Sequence, residues 1–193
     1  MQRLKEETAQ AHKETEQYSY GMEIMTGRLT SDQYAEVLIK NYQLHAAYEP
    51  ALQAIEGLDE LFCGDLSSRM REASLVEDIQ KVNAFPQKFE GEIVTPTTIA
   101  QALGCMYVLE GSTLGGAVIL KKLRTIESIN SQDAFSFYGF YGKNLGKKWQ
   151  EFGGILTNFA GNANLENQIV QFAISTFDSA KRIFSRTFET VNP

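Results

Sequence analysis

Three glycines within six positions, Gly111, Gly115 and Gly116, sit inside an apolar run that otherwise reads as one long helix. Pro96, Thr97 and Thr98 open this run in the manner of a helix N-terminus. Lys121, Lys122 and Arg124 close it with positive charge, and apolar side chains fill the interval. Each interior glycine costs a helix about 1 kcal/mol relative to alanine, so propensity does not explain three of them. What glycine offers is a missing side chain. Gly111 and Gly115 lie four apart on one face with Gly116 beside them, so the helix can bend and let something flat or bulky rest against its backbone. The same spacing also permits close packing against a second helix, and both readings stand at this point.

A chain of 193 residues, 43% hydrophobic, matches one domain with a single sizeable core. The formal charge of -6 argues against nucleic acid as a partner, because phosphate binding needs a concentrated basic surface. Two cysteines, Cys63 and Cys105, form neither a disulfide framework nor a metal-binding spacing. The first residues lack an apolar run behind their charges, and Gln101 and Glu110 interrupt the longest apolar segment. The expectation is a cytoplasmic protein without signal peptide or membrane span.

Helical periodicity persists along the chain. Leu4, Ala11, Tyr18 and Met22 recur near every seventh position, predicting a helix from residue 3 to about 19 that carries His12, with Glu16 one turn on. A carboxylate in that position can approach one imidazole nitrogen while the other points away, an arrangement suited to metal or haem iron and also common on ordinary helix surfaces. Thr30 or Ser31 caps a second helix through Tyr34, Leu38, Tyr42, His45, Tyr48 and Leu52, with Pro50 kinking rather than ending it. His45 therefore falls among apolar neighbours, as an interior hydrogen-bonded residue. A shorter helix is predicted from Ser67 or Ser68 through Ile79. Phe135, Phe137, Tyr138, Phe140 and Tyr141 form either core or the wall of an aromatic-lined cavity. Helices from about Leu145 to Phe159 and from an Asn164 cap through Phe184 and Phe188 complete the chain. No segment reads as strand, so the architecture is all-α.

Several chemistries lack their motifs. Neither His12 nor His45 has a glutamate three residues before it, which weighs against a di-iron carboxylate site. No phosphate loop, dinucleotide fingerprint or nucleophile elbow occurs. The fitting combination is an early-helix histidine that ligates iron from one side of a planar macrocycle and a glycine-rich helix that closes on the other.

These segments also carry a family resemblance. Leu4-Lys5-Glu6-Glu7-Thr8-Ala9-Gln10-Ala11-His12 with Glu16, paired with Tyr107-Val108-Leu109-Glu110-Gly111-Ser112-Thr113-Leu114-Gly115-Gly116, resembles the haem oxygenases, and looks closest to their bacterial, biliverdin-forming members. Phe137-Tyr138-Gly139-Phe140-Tyr141-Gly142 and the aromatic-rich last helix suit the same family. The resemblance implies an all-α, single-domain haem-oxygenase-like fold over residues 1–193, with haem between the first helix and a kinked glycine-rich distal helix. It implies His12, beside Glu16, as proximal iron ligand. Gly111 and Gly115 would contact haem and its bound oxygen, with Gly116, Ser112 and Tyr107 in the same wall. Lys5 would lie near a propionate, with a further basic partner among Lys147, Lys148, Lys181, Arg182 and Arg186, of which Arg182 and Arg186 are carried forward as site residues.

The implied activity is cleavage of haem, as both substrate and cofactor, with O2 and external electrons to biliverdin, CO and ferrous iron. The chain has no flavin or nicotinamide motif, so the donor would be a separate ferredoxin, flavodoxin or NADPH-dependent reductase, and a biliverdin acceptor is a further candidate partner. One position departs from the mammalian-type pattern: Ser112 stands where those members carry an aspartate that orders a water network. A hydroxyl holds water but has neither the charge nor the basicity of a carboxylate. That departure motivates the alternative of a haem-binding carrier or sensor without ring cleavage, and a purely structural helical domain is the third reading.

Overall fold

Side-chain caps start the three longest helices locally at Thr30, Thr98 and Asn162, and one further helix start is capped across the fold. The computed structural model describes residues 1–186. Among these the chain runs through α1 (Gln2–Glu16), α2 (Gly21–Met25), α3 (Ser31–Gln53), α4 (Leu58–Leu61), α5 (Glu72–Lys81), α6 (Ile99–Leu123), α7 (Glu127–Asn130), α8 (Leu145–Phe159) and α9 (Ala163–Phe184), with 3-10 turns at Ser67–Arg69 and Gly142–Asn144 and no strand. Thr30 opens α3 with a full capping box against Gln33, and Pro50 continues inside that helix as expected. Thr98 opens α6 by accepting from the Gln101 amide.

Three boundaries differ from the sequence reading. Asn162, not Asn164, caps α9, because its carboxamide accepts from the amides of Asn164 and Leu165. The helix predicted from Ser67 or Ser68 through Ile79 is divided, since Met70 turns extended and α5 begins afresh at Glu72. Its start is capped in trans: the Glu49 carboxylate of α3 accepts from the amides of Arg71 at 2.6 Å and Glu72 at 3.0 Å. No local signal in the sequence could announce that cap. Helix α1 stops at Glu16, leaving Tyr18 and Met22 exposed beyond it. Its buried stripe is Leu4, Thr8 and Thr15 with half-buried Ala11, and both threonine hydroxyls donate to the carbonyl four residues back, which makes them acceptable inside. Phe188 lies outside the described residues.

Helix α6 crosses the centre of the molecule, and an 18-residue window within it, with a mean hydropathy of 1.5, makes it by length and composition alone long and apolar enough to cross a membrane. Gln101 and Glu110 therefore do not shorten the apolar segment as the sequence reading supposed. Within the fold this composition serves packing: α6 buries Ala100, Ala102, Leu103, Cys105, Met106, Val108 and Leu109 in a core shared with α3, α8 and α9. A second core joins α2, α3 and α5 to the C-terminal end of α6 and to the aromatic segment after α7. That segment is core rather than cavity wall, with Phe135, Phe137 and Tyr141 buried. The Asp78 carboxylate pins it by accepting from the amides of Ser136 and Phe137, each at 2.8 Å.

The close helix approach in this molecule belongs to a fourth glycine. A Cβ on Gly104 would lie 2.3 Å from the Ile169 carbonyl oxygen and 3.0 Å from the Ala173 nitrogen, so α6 and α9 touch backbone to backbone there. Gly104→Ala is expected to destabilise the fold by about 2 kcal/mol through overpacking. Thermal denaturation would register this as a fall in Tm of roughly 2–4 °C per kcal/mol.

Candidate functional site

The levels of three helices decide which residues can meet. Thr15 of α1 donates to the Phe177 carbonyl of α9 at 3.3 Å, and Glu14 pairs with Lys181 at 2.6 Å. Arg3, near the start of α1, reaches Glu166, near the start of α9, at 3.2 Å, so the two helices run parallel. Helix α6 is locked to the first half of α9 at Gly104, which lies against Ile169 and Ala173. Advancing both helices by two turns at 1.5 Å per residue brings Gly111 roughly level with the Phe177–Lys181 region. Helix α9 packs extensively on both α1 and α6, whereas α1 and α6 make little contact with each other. His12 and the glycine-bearing turn of α6 therefore stand at a similar level along α9.

His12 is exposed on α1. Its Nδ1 lies 3.6 Å from Glu16 Oε2 and its ring stands edge-on to Phe177, with centroids 5.5 Å apart. With Nδ1 turned towards Glu16, Nε2 is the nitrogen on the opposite side of the ring. His45 occupies a contrasting place: it is buried, its Nδ1–H donates to Glu49 at 2.6 Å, and its ring meets Phe137. Burial, aided by the nearby Arg71 guanidinium, lowers the His45 pKa and keeps the imidazole neutral despite Glu49.

Helix α6 is bent in its glycine-bearing region. A Cβ on Gly115 would meet nothing within 4 Å, and one on Gly111 would meet only Trp149, at 3.8 Å. Neither glycine is required by helix packing. Gly116 is different, since its Cβ would come within 3.3 Å of the Tyr138 ring. Leu114 and Val118 are exposed on α6, as are Met22 and Met25 on the adjoining α2. Large apolar side chains left in water beside a backbone stripped of side chains fit a flat apolar ligand.

The remaining expected residues are placed as follows. Lys5 is exposed on α1. Tyr107 is half-buried against Trp149, with ring centroids 6.1 Å apart. Lys147 pairs with Glu151 at 3.7 Å, and Lys148 with Asp65, so both serve the α8 side of the fold. Lys181 is engaged with Glu14. Arg182 is exposed and donates to Ser179 Oγ at 3.3 Å, while Arg186 lies over the Phe89 ring, 4.4 Å from its centroid. Of the basic candidates, Lys181 and Arg182 stand at the level of His12.

The sequence reading did not single out the polar cluster behind the bend. Glu110 is buried and accepts from Tyr141 Oη at 2.7 Å and from Arg69 at 3.2 Å. Arg71, also buried, donates to the Leu109 carbonyl and reaches Ser112 Oγ at 3.4 Å. The available signal was Glu110 itself, a carboxylate in an otherwise uncharged helical run; its arginine partners lie about forty residues earlier.

A model of the family described as "Heme oxygenase" matches residues 1–186. The chain belongs to the haem oxygenase family. It is 28% identical to heme oxygenase PigA of Pseudomonas aeruginosa over 188 residues, 97% of this chain and 92% of that one. A heme oxygenase of Xanthomonas campestris pv. campestris is 33% identical over 99 residues, and that match spans 51% of this chain and 57% of the relative. Among solved structures, the fold resembles the NO- and CO-bound heme oxygenase of Neisseria meningitidis, with a TM-score of 0.72 and 21% identity over 95% of this chain and 88% of that one. Within this fold the open Cβ positions set Gly111 and Gly115 apart from Gly104. Gly115→Ala should stabilise the ligand-free protein by up to about 1 kcal/mol through helix propensity. The opposite sign to Gly104→Ala, read by thermal denaturation, separates a glycine kept for a ligand from one kept for packing.

Proposed function

We propose that this protein is a haem oxygenase that binds haem in the cleft between α1 and α6 and opens it to biliverdin, CO and ferrous iron. The observation that carries the reading is the pairing of an exposed histidine, His12, with a helix at its level whose Gly111 and Gly115 open onto space rather than onto a neighbouring helix. Bound haem would supply both the iron that activates dioxygen and the ring that is cleaved. His12 would hold iron through Nε2, with Glu16 orienting the ring from the Nδ1 side. Gly111 and Gly115 would let the α6 backbone approach the opposite face, where a side chain would block oxygen or redirect it. Leu114, Val118, Met22 and Met25 would cover the ring edge and exclude water, and Lys181 or Arg182 would meet the propionates.

Ser112 takes no direct part as a proton donor in this arrangement. Its hydroxyl donates to the Leu109 carbonyl at 2.7 Å, so what it offers the cleft is acceptor capacity alone. The electrons would come from a separate ferredoxin, flavodoxin or NADPH-dependent reductase, and the product would pass to solvent or to a biliverdin acceptor.

Titration with hemin followed by aerobic reduction tests the reading directly. The expected outcome is a stoichiometric complex whose Soret band gives way to biliverdin absorption when a reductase and catalase are present. A complex that persists unchanged beside a working control enzyme would favour a haem carrier. His12→Ala should abolish the histidine-ligated spectrum and turnover while leaving the circular dichroism of the ligand-free chain intact. Gly115→Val should keep the fold but cost at least about tenfold in turnover, which corresponds to about 1.4 kcal/mol on the barrier.

A further inference from the structure

The half of α1 that carries His12 buries little. Over residues 9–16 Thr15 is the one buried side chain, with Ala11 and Glu14 half-buried. This half is tied down by Thr15 on the Phe177 carbonyl, by the edge-on contact of His12 with Phe177, and by the pair of Glu14 with Lys181. That pair is partly exposed, so water screens it and two long side chains lose freedom in forming it. The placing of His12 and Glu16 therefore depends also on the chain just beyond them.

Helix α1 ends in a tight turn. The Glu16 carbonyl accepts from the Ser19 amide at 3.2 Å and from Ser19 Oγ at 2.7 Å, and Tyr20 then starts α2 with φ 55° and ψ 27°. A tyrosine rarely adopts this left-handed conformation, and it persists only where the surroundings impose it. The side chain holds it there. Tyr20 Oη donates to Glu36 Oε2 of α3 at 2.8 Å, Glu36 Oε1 meets Lys40 Nζ at 2.5 Å, and Lys40 Nζ stands over the Tyr20 ring, 5.5 Å from its centroid. Three groups thus close a ring of contacts, with Lys40 buried and Glu36 half-buried. Burial, then the hydrogen bond to Glu36, pushes the Tyr20 pKa up to about 12, so the phenol remains a donor. Charge-assisted hydrogen bonds and a cation–π contact away from water hold more firmly than a solvated surface pair. On its other side α2 packs on α6 and buries Ile24. Tyr20 therefore joins the end of the histidine-bearing helix to α3 and, through α2, to the glycine-bearing helix.

We propose that Tyr20, clamped by Glu36 and Lys40, is a positioning residue for His12, because it fixes the end of α1 and so sets where the Glu16 carboxylate and the His12 ring stand. This rests on the haem oxygenase reading, under which a ligand helix free to swing would hold iron at a variable angle. Tyr20 acts through the Ser19 turn and Glu16.

Tyr20→Phe removes the hydroxyl but leaves the ring beneath Lys40 and the Glu36–Lys40 pair in place, so the fold is kept. In the ligand-free full chain, hydrogen exchange should quicken at least about threefold at the amides of residues 12–16, the scale of one lost hydrogen bond, and stay unchanged in α9. With hemin bound and reduced by dithionite under argon, the iron–histidine stretching band in the resonance Raman spectrum should broaden or shift. Release of ferric hemin to apomyoglobin should quicken by at least about threefold. Arg3→Met, which cuts the tie to Glu166 at the far end of α1, should leave the band and the release rate at their wild-type values. A lower Tm in Tyr20→Phe with band, release rate and exchange unmoved would make the clamp a fold contact only and overturn the inference, as would equal shifts from Arg3→Met. A wild-type chain that binds no hemin would overturn the proposed function, and the inference with it.

Discussion

The backbone contact between α6 and α9 at Gly104 is the constraint that fixes how the long central helix sits against its neighbours. Helices that cross with side chains between them stand 8–10 Å apart, and omitting a side chain at the crossing brings the axes closer. That closeness fixes the level at which Gly111 and Gly115 emerge relative to Phe177 and Lys181. The same α9 residues hold α1 through Thr15 and Glu14, so His12 is placed by the partner that also places the glycines. Helices α1 and α6 are thus positioned through α9, with little contact between them.

The interior divides its polar groups between two tasks. Thr8 and Thr15 satisfy their hydroxyls on their own helix, so α1 can present a partly polar stripe to α9 at little cost. Glu49, Asp78 and Glu110 instead bind groups from other segments: Glu49 starts α5, Asp78 secures the chain before Phe137, and Glu110 joins α6 to Arg69 and Tyr141. Burial raises the pKa values of Glu110 and Asp78, and the hydrogen bonds they accept oppose that rise. Breaking one side of such a buried arrangement leaves an uncompensated charge, which makes these links more demanding than surface pairs such as Lys147 with Glu151.

Packing in this fold depends on absent atoms as much as on present ones. Gly104 and Gly115 are eleven residues apart on one helix and cannot be distinguished by composition or by local pattern. One faces a carbonyl oxygen at 2.3 Å and the other faces open space. Similar logic separates the two histidines. Each has a glutamate four residues on, yet His12 is exposed on α1 and His45 is buried beneath Phe137.

The sequence by itself determined the elements that depend on local forces: the Thr30 and Thr98 caps, the passage of α3 through Pro50, the long apolar α6 and the interior placing of His45. These follow from hydrogen bonds within a turn and from periodicity, which are written in neighbouring residues. The motif pair around His12 and Gly111 also pointed to the haem oxygenase family. Only the tertiary structure decided where groups distant in sequence meet. The Glu49 cap that splits the predicted helix before Glu72, the Gly104 contact, and the convergence of Arg69, Arg71 and Tyr141 on residues 109 to 112 all join separate segments. Their energies arise from burial and from close approach, and both exist only after the helices have packed.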